Sequence, residues 1–269
     1  MHALYDPVAD LIRRTAAEAV LPYYQKLSAD QIEEKQPKPG GLQDLVTIAD
    51  REAEAMLSAG LATLLPEAGI VGEEAAAADP SLLERLKDEL CWIIDPVDGT
   101  NNFGAGKPPF GIIIALAQAG EAVAGWIYDP LTGRMCHAHK NGGAWMNGAP
   151  LLARETGNAK PVAAISLIFM EPAERLKMQE RLGDRFDLVD IPRCAAEQYP
   201  RLVLGQNDIS LFERTLAWDH AAGVLFVNEA GGKAARMDGR DYRVDSEERG
   251  MIAAASPRLW DEAAALLTD

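Results

Sequence analysis

The spacing of apolar residues along the chain predicts a mixture of helices and strands. Apolar residues at helical spacing, or segments bounded by helix-stopping residues, mark helices over 8–27, 50–65, 80–89, 172–182, 220–230 and 257–267. Short apolar runs mark strands over 69–72, 91–94, 110–117, 122–128, 134–139, 162–169, 186–191, 201–204, 209–212 and 251–254. The strands between residues 110 and 139 are separated by a few residues each, which allows antiparallel hairpins and excludes parallel crossovers.

The two halves of the chain differ in the order of these elements. Up to residue 150, helices come first and hairpin strands follow, as in an α+β lobe, whereas strands and helices alternate beyond it, as in an α/β lobe. The polar segment 36–41 is predicted to be a loop, and 140–150, rich in Gly and Asn, an edge of the first lobe. No repeat or low-complexity linker separates the halves, so we expect lobes 1–150 and 151–269 to pack closely.

Composition and charge narrow the class of protein. With 48% hydrophobic residues, 269 positions can bury a sizeable core without disulfides. The 41 acidic against 26 basic residues give a net charge of −15, which disfavours nucleic acid and anionic membranes as partners. Cys91, Cys136 and Cys194 are scattered singly, as is typical of core side chains in a reducing compartment. The chain begins without a signal-peptide pattern and its longest apolar run, 111–117, cannot cross a bilayer, so we expect a cytoplasmic protein.

The strongest chemical signal is the segment 92–103, WIIDPVDGTNNF. A buried strand runs into a turn, and the carboxylates of Asp95 and Asp98 leave that turn three residues apart. Such carboxylates repel each other unless a cation lies between them, and Mg²⁺ prefers oxygen ligands. Gly99 and Thr100 can then open a short helix whose free N–H groups hold a phosphate. Asp-Pro or Asp-Gly alone would be ordinary turn chemistry, but the whole segment after a buried strand favours a metal-dependent phosphate site.

Three further acidic residues can complete such a site. Glu73 ends a short apolar strand, although an acidic residue there usually just faces water. Asp219 precedes a run of small residues, so it can cap a helix, bind a metal, or do both. Asp50, at the end of the segment DLVTIAD (44–50), offers a buried carboxylate but by itself resembles a helix start. A carboxylate from these segments close to Asp95 would complete a metal shell.

Taken together, these segments resemble the inositol monophosphatase family, which is related to fructose-1,6-bisphosphatases and bisphosphate nucleotidases. The matching stretches are DLVTIAD (44–50), GEE (72–74), WIIDPVDGTNNF (92–103) and WDHAAG (218–223), and the likeness covers roughly residues 5–267. The resemblance implies a layered αβαβα sandwich of two lobes, with the metal site in the cleft between them. It also implies a Li⁺-sensitive enzyme that uses two or three Mg²⁺ ions to hydrolyse a small-molecule phosphate ester, and a homodimer.

The resemblance assigns roles to individual residues. The implied metal ligands are Glu73, Asp95, the Val97 carbonyl, Asp98 and Asp219. The implied phosphate contacts are Asp98, Gly99 and Thr100. Glu73 and Thr100 would position the attacking water, and Asp50 would hold the Thr100 hydroxyl. The implied substrate pocket contains Arg193, Ala196 and Glu213.

The chain departs from the family pattern around this pocket. Gly-Ser/Thr-Ala-Ala is usual where the chain has Arg-Cys-Ala-Ala over 193–196, and Glu213 lies one residue closer to Asp219 than in the animal enzymes. A lysine that often precedes the DLVT segment is replaced by Pro39, next to Lys38. The alcohol part of the substrate therefore stays open among inositol 1-phosphate, a sugar bisphosphate, a 3′-phosphonucleotide and histidinol phosphate.

Two other classes of protein stay open at this point. A haloacid-dehalogenase-type phosphatase also carries acids at a strand end and uses Mg²⁺, but it needs Asp-x-Asp, whereas two residues separate Asp95 from Asp98. A binding or regulatory protein can keep such a fold without its chemistry, as some bacterial relatives do in transcription complexes. The full set of ligands argues against a loss of catalysis.

Overall fold

The structure, a computed structural model, describes residues 3–34, 45–165 and 171–268. The predicted loop at 36–41, with Lys38 and Pro39, and the first residue of the DLVTIAD segment, Asp44, lie outside the described residues. None of the helices within the described ranges combines the length and the apolar character that crossing a bilayer demands.

The N-terminal part forms two packed helices and a small ribbon. Helix α1 (Tyr5–Thr15) runs on as a π-helical turn over Ala16–Val20. Strands β1 (Ile32–Glu34) and β2 (Leu45–Thr47) pair antiparallel, and α2 (Ile48–Leu64) follows β2 directly. Helix α2 thus begins two residues before the predicted start, because the hydroxyl of its N-cap residue accepts a hydrogen bond from a first-turn amide.

The first sheet has seven strands in the order β3-β4-β5-β6-β7-β8-β9. They are β3 (Gly69–Gly72), β4 (Cys91–Asp98), β5 (Gly111–Gln118), β6 (Glu121–Asp129), β7 (Arg134–His139), β8 (Ala144–Met146) and β9 (Ala149–Leu151). β3 and β4 are parallel and all later neighbours are antiparallel, so the predicted hairpins are confirmed. The segment 140–150, predicted as an edge of the lobe, adds the hairpin of β8 and β9 at that edge.

Short helices connect the strands that carry the acidic segments. Helix α3 (Glu73–Ala78) follows β3, a 3₁₀ helix covers Pro80–Lys87, and α4 (Thr100–Gly104) follows β4. The helix predicted over 80–89 is therefore a 3₁₀ helix, and α4 is the short helix predicted after Asp98.

Within residues 151–165 and 171–268, the chain forms a five-stranded mixed sheet and four helices. Its strands are β10 (Val162–Ile165), β11 (Asp187–Val189), β12 (Ile209–Phe212), β13 (Lys233–Arg236) and β14 (Met251–Ala254), in the order β11-β10-β12-β14-β13. Its helices are α5 (Pro172–Gly183), α6 (Ala195–Val203), α7 (Ala217–Glu229) and α8 (Pro257–Thr268). The strand predicted over 201–204 is wrong, because these residues end α6 and its buried side chains recur at helical spacing.

These elements stack as helix, sheet, helix, sheet, helix. One face of the first sheet, with Trp92 and Ile114, packs on α1 and α2, whereas the opposite face, with Ile93, packs on α6 and α7. The core around α6 and α7 continues into the second sheet through Met251, and α5 and α8 cover the other face of that sheet, with Trp260 in its core. The αβαβα sandwich is confirmed, and the division into lobes at residue 150 stays a prediction.

Candidate metal and phosphate site

Three carboxylates from distant parts of the sequence meet at the end of β4. Asp95 and Asp98 belong to β4, and Asp219 lies in the first turn of α7. One carboxylate oxygen from each lies within 4.8 Å of the others. Asp95 and Asp98 are buried, whereas 20% of the Asp219 side chain is exposed. Asp219 is not an N-cap, because α7 already begins at Ala217, so the capping role considered for it is wrong.

An irregularity in β4 lets two carboxylates of one strand reach the same cluster. Side chains three positions apart in a regular strand point to opposite faces. The pairing of β4 with β5 shifts register between Asp95 and Asp98. Pro96, which has no backbone N–H to donate to a neighbouring strand, lies within this shift. The carboxylate of Asp95 also accepts a hydrogen bond from the Val97 amide at 3.1 Å. The local backbone therefore turns both carboxylates towards Asp219.

Burial and mutual repulsion make this cluster costly to ionise. Burial raises the pKa of Asp95 well above its usual value, and the nearby charge of Glu73, followed by that of Asp98, raises it further. Burial also raises the pKa of Asp219 to about 7, although the charge of Arg214 opposes this increase. A cation among these carboxylates would remove the repulsion. Because the donors are carboxylate oxygens, the site fits a hard divalent ion such as Mg²⁺.

Glu73 approaches the cluster from α3, of which it is the first residue. The tight group of three carboxylates does not include it, but its charge is the strongest neighbouring influence on Asp95. Glu54, which the sequence analysis does not single out, holds this helix start. Its buried carboxylate accepts hydrogen bonds from the amides of Glu74 and Ala75, both at 2.8 Å.

The residue before Glu73 must be small for this arrangement to exist. A Cβ atom at Gly72 would overlap the carboxylate of Glu54. Gly72 therefore lets the end of β3 pass directly over the α2 side chain that caps α3. The Gly-Glu-Glu motif therefore has two structural reasons. Gly72 allows the backbone to approach the buried carboxylate of Glu54, and Glu73 is a candidate metal ligand.

The backbone amides of Gly99 and Thr100 lie at the start of α4, and we call these groups the amide pocket. Gly99 has a φ of +84°, in the left-handed region, and a Cβ there would lie 3.0 Å from the Pro109 carbonyl oxygen. Because the first amides of a helix have no intrahelical acceptor, the start of α4 can hold an anion. This amide pocket directly follows Asp98, so it adjoins the carboxylate cluster.

The Thr100 hydroxyl lies between two acceptors. It is 2.9 Å from the Val97 carbonyl oxygen and 3.2 Å from Asp50 Oδ1. Its single proton can serve one of them at a time. The other oxygen of buried Asp50 accepts hydrogen bonds from the amide and the hydroxyl of Thr47, at 2.8 and 2.6 Å. The start of α2 therefore orients Asp50 towards Thr100.

The start of α6 orients the carboxylate of Asp98. Asp98 Oδ2 accepts a hydrogen bond from the Ala196 amide at 2.6 Å and lies 3.0 Å from the Cys194 thiol. Burial raises the pKa of Asp98, and these hydrogen bonds oppose the increase. Ala196 thus reaches the cluster through its backbone, while its methyl group is buried. Arg193 is exposed and has a φ of +54°, in the left-handed region.

Glu213, the third residue of the implied pocket, has a partner elsewhere in the fold, and so does Glu197, the residue after Ala196. Glu197 lies between two arginines and accepts a hydrogen bond of 2.6 Å from both Arg134 and Arg201. Glu213 forms an ion pair with exposed Arg249 at 3.6 Å. The structure therefore brings Asp95, Asp98 and Asp219 together, with Gly99 and Thr100 following Asp98, and it engages Glu197 and Glu213 in ion pairs.

Comparison with known proteins assigns the chain to a family. The model of the "Inositol monophosphatase family" matches residues 3–269. A Vibrio cholerae relative named "Nus factor SuhB" is 32% identical over 236 residues, with 86% of this chain and 85% of the relative covered. An "Inositol-1-monophosphatase" of Mesorhizobium japonicum is 33% identical over 238 residues, covering 85% and 86%.

A solved structure and a further relative agree with this assignment. The structure of an inositol monophosphatase from Thermotoga maritima matches with a TM-score of 0.79 and 26% identity, covering 98% of this chain and 96% of that one. A Thermotoga maritima protein named "Fructose-1,6-bisphosphatase/inositol-1-monophosphatase" is 30% identical over 210 residues, with 78% of each chain covered. The chain therefore belongs to the inositol monophosphatase family of metal-dependent phosphatases, and it is a phosphatase of small phosphate esters.

Proposed function

We propose that the protein is a Mg²⁺-dependent phosphomonoesterase that hydrolyses a small phosphorylated metabolite by direct attack of water. The observation that carries the proposal is the carboxylate cluster of Asp95, Asp98 and Asp219 beside the amide pocket at Gly99. Phosphate-ester hydrolysis needs a cation and an anion pocket next to each other, and this end of β4 has the groups for both.

The residues that would hold Mg²⁺ are Glu73, Asp95, the Val97 carbonyl, Asp98 and Asp219. When bound, two or three such ions would supply a more acidic water and would neutralise charge on the leaving oxygen. The raised pKa values of Asp95 and Asp219 support this assignment, because burial and the neighbouring carboxylates disfavour the charged forms, and a bound cation would oppose both effects.

The remaining tasks belong to groups of the chain itself. The amides at Gly99 and Thr100 would hold the phosphate oxygens, with Asp98 next to them. Glu73, held at the start of α3 by the hydrogen bonds of Glu54, would accept a proton from the attacking water. The Thr100 hydroxyl, within reach of Asp50, would fix the direction of attack. A water nucleophile leaves no phosphorylated residue on the enzyme.

The part of the site that would bind the alcohol of the substrate, here called the alcohol side, determines which ester is hydrolysed. Arg193, Ala196 and Glu213 would line the substrate pocket, with Ala196 contributing its backbone. Relatives carry names that refer to inositol monophosphate, to fructose 1,6-bisphosphate and to a Nus factor, so their names differ in substrate and role. The homodimer, the cytoplasmic location and the Li⁺ sensitivity are family-like properties that we propose for this chain as well.

A phosphate-release assay tests the proposal. The chelator-treated protein should release no phosphate from a panel containing inositol 1-phosphate, fructose 1,6-bisphosphate and histidinol phosphate, and Mg²⁺ should restore release from at least one of them. Li⁺ should inhibit the restored activity. Release that is independent of added metal, or an adduct of beryllium fluoride with an aspartate that mimics a phospho-aspartate, would contradict a metal-assisted attack by water.

A further inference from the structure

A guanidinium lies beside the carboxylate cluster on the side of α7. Arg214 Nη2 is 3.9 Å from Asp219 Oδ2, and 36% of the arginine side chain is exposed. Gly99 and Thr100 directly follow Asp98, whereas Arg214 is reached through Asp219. The Arg214 guanidinium thus lies beside Asp219, whereas the amide pocket lies beside Asp98. The arginine side chain remains accessible to solvent.

The backbone that carries this arginine is held from two sides. The Arg214 carbonyl accepts a hydrogen bond from His220 Nε2 at 3.0 Å, and the Tyr199 hydroxyl is 2.7 Å from His220 Nδ1. Because a carbonyl can only accept, the proton is on Nε2, and Nδ1 accepts from Tyr199. The next residue, Thr215, donates its hydroxyl to the Glu248 carbonyl at 2.8 Å. The backbone from which the Arg214 side chain extends is therefore held in place by these hydrogen bonds.

The residue before this arginine has a different partner. Family resemblance predicts an acidic contact to the substrate alcohol at Glu213, but Glu213 pairs with Arg249 in this chain. The residue that lies next to the cluster is Arg214. This side of the site therefore has a positive charge beside Asp219.

We propose that Arg214 selects phosphate esters whose alcohol part carries a second anionic group, either a phosphate or a carboxylate. The inference rests on the proposed phosphomonoesterase function. With the reacting phosphate on the amides at Gly99 and Thr100, an alcohol that extends towards Asp219 would meet the Arg214 guanidinium, whose planar, charged N–H groups suit a second anion. On a chain of net charge −15, such a local cation is needed to accept a further negative group. A cationic alcohol such as histidinol would be repelled.

Two matched pairs of substrates test the proposal and separate the two kinds of anion. Fructose 1,6-bisphosphate against fructose 1-phosphate adds a phosphate, and 2-phosphoglycerate against glycerol 2-phosphate exchanges a hydroxymethyl group for a carboxylate. We expect the wild-type enzyme to prefer the doubly anionic member of at least one pair. Arg214→Gln should lower kcat/KM for that member by about 10-fold to 100-fold more than for its partner, mainly through KM.

Two variants serve as controls for this change. Arg214→Lys keeps the positive charge but lacks the planar guanidinium. Its preference for the doubly anionic ester should therefore lie between those of the wild type and Arg214→Gln. Arg13→Gln removes an exposed arginine that pairs with Asp10, and it should leave the preference unchanged, because it alters net charge away from the cluster. Thermal unfolding of each variant checks that it is folded.

The outcomes distinguish this inference from the proposed function. If the wild type hydrolyses these esters but prefers the singly anionic members, or if Arg214→Gln lowers both members of a pair equally, Arg214 has no role in selection. An equal loss together with a changed Mg²⁺ requirement would mean that Arg214 merely balances the charge of Asp219. If the wild type releases no phosphate from any ester with Mg²⁺, the phosphomonoesterase proposal itself fails, and the inference fails with it.

Discussion

Different kinds of contact hold the proposed metal side of the site, around Asp95 and Asp98, and its proposed alcohol side, around Glu213. On the metal side, carboxylates bond to the main chain: Asp95 to an amide of its own turn, Asp98 to the start of α6, and Glu54 to the start of α3. On the alcohol side, charged side chains bond to one another, as Glu197 does with two arginines and Glu213 does with Arg249.

This difference explains why one side has a sequence motif and the other does not. A carboxylate that bonds to backbone needs the chain to approach closely, and Gly72 and Gly99 stand where a side chain would collide. An ion pair between side chains can be exchanged for another pair without moving the backbone. We therefore expect substitutions on the metal side to have larger effects, and the following predictions test that expectation in order of size.

The largest effect should follow from Asp95→Asn. The substitution keeps an oxygen that can accept from the Val97 amide, but it removes the charge at the centre of the cluster. We expect kcat/KM to fall on the order of 10³-fold or more. The metal-free protein should become more stable at pH 8, because one of several mutually repelling carboxylates is gone. Phosphate release and thermal unfolding measure the two effects.

Asp238→Asn is the matched control for this change. Asp238 is exposed and pairs with Arg240 outside the site, so its loss should alter neither activity nor the response to Mg²⁺. Turnover of Asp95→Asn at the wild-type rate would remove the metal assignment for this residue.

The part of the site that could be predicted from sequence is the part with local contacts. The strand, turn and helix around Asp95 and Asp98 follow one another within a dozen residues, and their pattern of apolar, turn and acidic positions is enough to indicate a metal and a phosphate. The hairpins of the first sheet are local in the same sense, because each strand pairs with its neighbour in the chain.

The parts that escaped prediction lack a clear pattern in their own residues. The strands β8, β9 and β13 have the sequences AWM, APL and KAAR, which lack the β-branched residues typical of strands. Residues 202–204 are an apolar run that fits a strand or a helix, and packing between the two sheets favours the helix that ends at Val203. Glu54 offered a detectable signal, since it shares the apolar face of α2 with Leu57 and Leu61.

A smaller effect is expected for Glu54→Gln, which tests whether main-chain capping on the metal side matters for function. An amide has a single oxygen to offer the two backbone N–H groups, and the charge is lost. We expect kcat to fall about 10-fold to 100-fold, with a higher Mg²⁺ concentration for half-maximal rate. Glu52→Gln, on the exposed side of the same helix and bonded to Tyr23, should change neither quantity. A loss of stability without any change in the Mg²⁺ requirement would make the cap purely structural.

The next effect concerns the response of stability to Mg²⁺ and pH. The pKa of Asp219 is raised from 3.8 to about 7 in the metal-free fold, so its stabilising contribution is complete below pH 3.8 and is lost as pH rises through about 7. Under the proposed function, bound Mg²⁺ would reverse that loss. Saturating Mg²⁺ should therefore raise Tm by about 5–10 °C at pH 8 and by clearly less at pH 5. Calorimetry with NaCl at matched ionic strength is the control, and equal shifts at both pH values would contradict the assignment.

The smallest effect should come from the alcohol side, where Arg193 occupies the left-handed region at φ +54°. Arg193→Gly should increase the free energy of unfolding by about 0.5–1 kcal/mol, because glycine adopts this conformation without strain. Arg14→Gly, at an exposed helical position, should lower it by about 1 kcal/mol. Urea unfolding measures both. If the Arg193 guanidinium contacts substrate, Arg193→Gly should be more stable than the wild type but have a lower kcat/KM. A more stable variant with unchanged kcat/KM would show that Arg193 has no role in substrate binding.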